Sequence, residues 1–131
     1  SGSLINNGVL RAEGAGGLHL LGVNVTNNTS VDVNAGSSLQ LGSFTTINGV
    51  INVAGSGTAS ASKSTFDGVT LNGDMQQSNL SNTITNGLTL NGAWNLNATT
   101  GSSVTGLNFN GTQSIGGIGE IVMSDNSSNR I

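Results

Sequence analysis

The chain contains no cysteine and no proline, and it is nearly as poor in charge and in aromatic rings. Without cysteine there is no disulfide framework and no thiolate for metal or nucleophilic work, and the redox compartment stays open. Charged residues make up 7% of the chain, and Arg11, Lys63 and Arg130 are its only permanent cations. The formal charge of −3 lacks the basic stripe that a nucleic-acid partner needs. No apolar run approaches the length of a membrane helix, so membrane insertion by this segment is not expected. No window carries apolar residues at helical spacing, and glycine interrupts nearly every stretch of ten.

What remains is rich in Gly, Asn, Ser and Thr, with 21 glycines among 131 residues. Such polarity without charge points towards disorder, yet Val, Leu and Ile return at regular intervals, which disordered segments do not do. The stretch GVTLNGDMQ starts at Gly68, GLTLNGAWN at Gly87 and GLNFNGTQS at Gly106, each nineteen residues after the last. Gly49 opens a fourth line, GVINVAG, with one extra residue before Gly55 that a bulge would absorb. Behind these glycines stand Val50, Val69, Leu88 and Leu107, and two places on Asn52, Leu71, Leu90 and Phe109. The period of two is that of a strand with one buried face. A second strand is expected at Met75 and Gln77, Trp94 and Leu96, Gln113 and Ile115, and a third around Phe66, Ile84 and Val104. The first half keeps the grammar more loosely: runs ending near Arg11, Val33 and Val53 precede Gly14, Gly36 and Gly55, spaced 22 and 19 residues apart.

Three short strands per unit, no helix and a fixed phase predict an all-β chain. The expected architecture is a single parallel β-solenoid over residues 1–131 with turns of 19–22 residues, taken as right-handed although the residues themselves do not set the hand. Roughly seven turns fit, a rod about 30 Å long at ~4.8 Å per turn. A leucine-rich repeat would need a different apolar frame, and a sandwich would not need the phase. One turn alone buries about five apolar side chains at about 1.5–3 kcal/mol each. Ordering its backbone costs on the order of 20–40 kcal/mol. Turns therefore fold only as a stack, and equal phase means vertical alignment. Gly68, Gly87 and Gly106 are read as one column. Asn72, Asn91 and Asn110 form another, either as an amide ladder up the coil or simply as good turn residues before glycine. The segment reads as a piece of a larger repeat protein, with residues 1–3 a vector-derived scar.

Chemistry is sparse. The acids are Glu13, Asp32, Asp67, Asp74, Glu120 and Asp125, and no two share a phase that would serve glycoside hydrolysis. No catalytic, cofactor-binding or metal-ligating residue is assigned. His19, between Leu18 and Leu20, should face solvent and lacks a second ligand. Gly116-Gly117-Ile118-Gly119-Glu120 echoes a calcium nonapeptide once and is read as a flexible corner. Trp94 is either core or, facing outward, a stacking surface for a sugar. Thr70, Thr89 and Asn108 would make a polar column too short for ice binding. Asn-x-Ser/Thr triplets such as that at Asn97 are frequent enough here to arise by chance.

The units beginning at Gly68 and Gly87, the opening INNGVLRAEG and the closing IVMSDNSSNRI resemble repeats of filamentous-haemagglutinin-like and autotransporter-type bacterial surface adhesins. That resemblance implies export, an extracellular or outer-surface location, and a stiff stalk adhering to host cells or abiotic surfaces, glycans included. It carries no catalytic residues. Two further expectations stand beside it: a fibre subunit stacking end to end, and a carbohydrate-binding β-helix.

Overall fold

A computed structural model of the protein describes residues 2–99 and 104–131; Ser1 of the expected scar lies outside them, while Gly2 and Ser3 pair with Val23 and Asn24. Among the described residues there are sixteen strands and no helix, so none long and apolar enough to cross a membrane. The first six strands are β1 (Gly2–Asn6), β2 (Val9–Ala12), β3 (Leu18–Leu21), β4 (Val23–Asn27), β5 (Ser30–Val33) and β6 (Ser38–Gly42). Next come β7 (Thr46–Val53), β8 (Thr58–Ala61), β9 (Thr65–Asn72), β10 (Met75–Gln77), β11 (Leu80–Leu90) and β12 (Ala93–Leu96). The last are β13 (Thr105–Phe109), β14 (Ile115–Gly116), β15 (Glu120–Met123) and β16 (Asn129–Arg130).

They form two parallel sheets wound as a β-solenoid of about six turns. One sheet runs β3-β6-β8-β10-β12-β15; the other follows β1-β4-β7-β9-β11-β13-β16, with β2, β5 and β14 alongside. Every pairing is parallel, because each turn lays its strands in the same direction over the turn before. The strands alternate between buried and outward residues: in β9, Phe66, Val69 and Leu71 are buried while Thr65, Asp67 and Thr70 look outward, the one three-residue step falling at the exposed Gly68.

The core is a set of columns along the coil axis. Val25, Ile47, Phe66 and Ile84 stack in register, and so do Val31, Ile51, Leu71 and Leu90. Met75 stacks on Trp94 in the other sheet, and the indole meets the Phe66 ring edge-on at 4.8 Å between centroids. Both sheets thus close on one apolar interior.

Register departs from the sequence expectation in three places. Gly68 is an extra residue in its strand: Asn48 pairs with Asp67 but Gly49 with Val69, so Gly49 does not sit on Gly68. The left-handed backbone there (φ 62°) is what a bulge asks of glycine. The absorbed residue sits at Gly68, not before Gly55. A second slip between Thr85 and Leu88 places Asn86 and Gly87 opposite Gly68. The third is larger. Gly106 pairs with Ser81, not Gly87, and Phe109 lies over Ile84. Eight residues, 97–104, separate β12 from β13, and that length carries the GLNFNG copy to an earlier station on the turn. Leu88 and Thr89 are met instead by Ile115 and Gly116, and Trp94 and Leu96 by Ile121 and Met123. Longer late turns explain why about six fit rather than seven.

Candidate functional site

Polar side chains that the sequence places at corners are held by one another, turn to turn. The amide of Asn91 donates to Asn72 Oδ1, Asn72 to Asn52 Oδ1, and Asn52 to Asp32 Oδ1, each at 2.8 Å. Every donor points towards the amino-terminal turns, and the series stops on a carboxylate that can only accept. Asn110 is not on this column: its N–H donates to the Ile84 carbonyl and its own carbonyl accepts from Gln113. Gly106 is likewise apart from Gly68 and Gly87. Spacing alone misses Asn52 and Asp32, because it aligns GVINVAG on its glycine, whereas the bulge at Gly68 moves Asn52 level with Asn72.

A second set of amides lies inside. Asn6 and Asn27 are buried and in register, with Asn6 Nδ2 donating to Asn27 Oδ1 at 2.8 Å. Asn82 is fully buried, accepting from Ser64 N and donating to Ala61 O. Gln77 is buried too; it donates to Gly106 O and Leu80 O and accepts from Trp94 Nε1 at 2.9 Å. Each converts unpaired corner backbone into satisfied backbone. Nothing in the sequence marks Asn6, Asn27 and Asn82 as interior, whereas Gln77 shares the two-residue phase of Met75.

Trp94 is 0% exposed, which corrects its candidacy as a sugar platform. Its ring is spent on Phe66 and Met75, and its N–H on Gln77. His19 is exposed between Leu18 and Leu20 on β3. Four carboxylates serve neighbouring turns: Asp32 accepts from Asn52, Asp67 from Thr85 and Asn86, Asp74 from the Ala93 N–H, and Glu13 from Asn34. Among the described residues no group of three His, Asp or Glu is placed to hold a metal ion. The segment from Gly116 to Glu120, expected as a flexible corner, is tied down, since Gly119 N donates to Leu90 O and Glu120 N to Gly92 O. Thr70 pairs with Thr89, but Asn108 pairs with Thr83, so that outward column ends after two hydroxyls.

Among several shallow surface recesses, one lies close in the chain to the corner that carries the exposed Phe44. On the sheet containing β6, β8 and β10, Gln40, Ser60 and Gln76 align outward. The small Ser60 between two glutamines leaves a shallow recess of about 190 Å³, bordered also by Ser62 and Ser78. Just past the ends of β6 and β8 the coil turns a corner at Phe44 and Lys63, both exposed. The lysine ammonium lies 5.6 Å from the centroid of the Phe44 ring. The sequence gives one signal for this place: Phe44 and Lys63 are bulky residues among Gly, Ser and Thr.

Comparison of the chain with protein-family models, curated proteins and solved structures finds no match.

Proposed function

We propose that the chain is a shaft segment of a secreted or surface-attached bacterial β-helix protein, holding adhesive contacts away from the cell. The observation that carries this reading is continuity along the axis. Backbone ladders, the apolar columns and the amide series from Asn91 to Asp32 all cross from one turn to the next. Bending such a coil stretches hydrogen bonds on its convex side while the packed interior resists compression on the other. The filamentous-haemagglutinin-like resemblance of the repeats supports the same reading and supplies its partners: a host-cell or abiotic surface, glycans among the ligands.

Small-angle scattering on the chain, with adherence of chain-coated beads to epithelial cells and to polystyrene, tests both halves. An elongated particle and adherence above albumin-coated beads are expected. An isometric particle removes the shaft, and beads that adhere to neither surface remove the adhesive role.

A second reading, a fibre subunit that self-associates, is favoured by the exposed apolar side chains of Ile118, Val122 and Met123. Sedimentation at rising concentration separates the two, filaments supporting the fibre and a constant monomer the shaft.

A further inference from the structure

We propose that Phe44 and Lys63, together with the recess of Gln40, Ser60 and Gln76, form a binding site for an anionic glycan. The inference rests on the adhesive reading and gives it a location.

The chain has four aromatic residues. Phe66 and Trp94 are fully buried and Phe109 packs against the core. Phe44 alone is turned out, 75% exposed. It also sits in the left-handed region at φ 68°, and Lys63 does so at φ 49°. Bulky side chains are disfavoured in that conformation; one neighbouring turn meets this corner with Gly22 at φ 65°, while on another Leu80 is left-handed as well, at φ 63°, but half-buried where Phe44 is exposed. A chain with glycine to spare has placed a phenylalanine where glycine fits better and where the ring contributes little to the core. Such strain persists where a side chain has a use.

The corner is also rigid. Phe44 N donates to Lys63 O at 2.8 Å, and Lys63 N to Ser81 O at 3.1 Å. The next residue, Thr45, is buried, with its hydroxyl within 2.8 Å of the carbonyls of both Leu20 and Gly42. A backbone fixed in this way need not reorder when a ligand covers the ring.

The chemistry around the ring selects the ligand. An aromatic face takes the C–H face of a pyranose; Lys63, in no ion pair among the described residues, holds its ammonium over one face of the Phe44 ring, so the sugar would take the other face with the ammonium at its edge. Among the described residues the Gln40 amide has no partner, and Gln76 keeps its Nε2 while its Oε1 accepts from Asn97. The recess, whose lining reaches Ser62 next to Lys63 in the chain, offers amides and serine hydroxyls to the closely spaced hydroxyls of a sugar chain. There is no guanidinium fork at the corner for bidentate phosphate recognition. A carboxylate or a sulfate would satisfy the ammonium equally.

The test uses the full chain on an array with neutral, carboxylated and sulfated arms, together with Phe44→Gly and Lys63→Gln. Binding to at least one anionic arm is expected, with a loss of about tenfold or more in affinity in each variant. The thermal midpoint of Phe44→Gly should equal or exceed that of the parent, because glycine relieves the left-handed strain. A ring with only a structural role would lower the midpoint instead. Lys63→Gln then decides independently, since it leaves the ring in place. No anionic glycan bound, binding confined to neutral arms, or variants that bind like the parent would overturn the site. The bead assay keeps the two readings apart. Beads that adhere but ignore both Phe44→Gly and soluble glycan leave the adhesive shaft standing and remove this site. Glycan binding without bead adherence does the reverse.

Discussion

Replacing Asn72 by aspartate should break the amide column at its centre, while replacing Asp32 by asparagine should leave it whole. Asn72 donates to Asn52 Oδ1 and accepts from Asn91 Nδ2, both at 2.8 Å. Aspartate can accept but not donate, so two acceptor oxygens would face each other at hydrogen-bond distance. One lost amide bond is worth about 1 kcal/mol, and the facing oxygens must rotate apart, bringing the expected loss to about 1–2 kcal/mol. Partial exposure of Asn72 keeps it from being larger. Asp32 only accepts, from Asn52 Nδ2, and asparagine accepts there equally well through Oδ1. The change at Asp32 should stay within about 0.5 kcal/mol. Urea unfolding followed by far-ultraviolet circular dichroism measures both.

The sign with pH is fixed by the same geometry. In the Asn72→Asp variant the charged carboxylate is disfavoured in the fold, so its folded-state pKa would lie above the ~3.9 of the unfolded chain. The penalty is therefore full above the folded pKa and shrinks as pH falls through it, when a protonated carboxyl can donate. Equal losses for Asn72→Asp and Asp32→Asn, or a penalty that grows in acid, would refute the directed ladder.

Three other positions probe the interior. Gly92→Ala would put a Cβ 2.1 Å from the Gly73 carbonyl oxygen, backbone against backbone, and should cost more than about 2 kcal/mol in urea unfolding. Trp94→Phe keeps most of the apolar volume but strands Gln77 Oε1 in the core, an expected loss of about 1–3 kcal/mol. A larger loss, about 3–5 kcal/mol, should follow Trp94→Ala, with both read as a lowered melting temperature. Ser37→Ala should go the other way. Its Oγ is buried without a partner among the described residues, so removing it should stabilise by about 1 kcal/mol, seen as a raised urea midpoint.

The strands are legible in the sequence because their signal is local. Alternation at Val69 and Leu71, or at Leu39 and Leu41, needs only neighbouring residues, and it identifies the buried face wherever the turn lies. Stacking is a different matter, since it depends on how many residues each corner takes up. GLNFNG follows the pattern of GLTLNG, yet the length between β12 and β13 sets Leu107 over Asn82. Likewise the bulge at Gly68 hides the equivalence of Asn52 and Asn72. Asn6, Asn27 and Asn82 look like surface amides in the sequence because an amide's burial is decided by the partner it meets, often some 20 residues away. Phe44 is hidden for the opposite reason: Trp94 is the more conspicuous ring, and its size makes it the natural interior residue of the stack.

The one-way orientation of the amide column has a bearing on how such a coil can change length. An asparagine added between Asp32 and Asn91 would find an acceptor on one side and a donor on the other, so a duplicated turn joins without altering either neighbour. Asp32 tolerates no such shift of station, because an acid inserted mid-column leaves two acceptors in contact. Duplications between these points extend the coil, and the carboxylate stays as a fixed stop at its amino-terminal side.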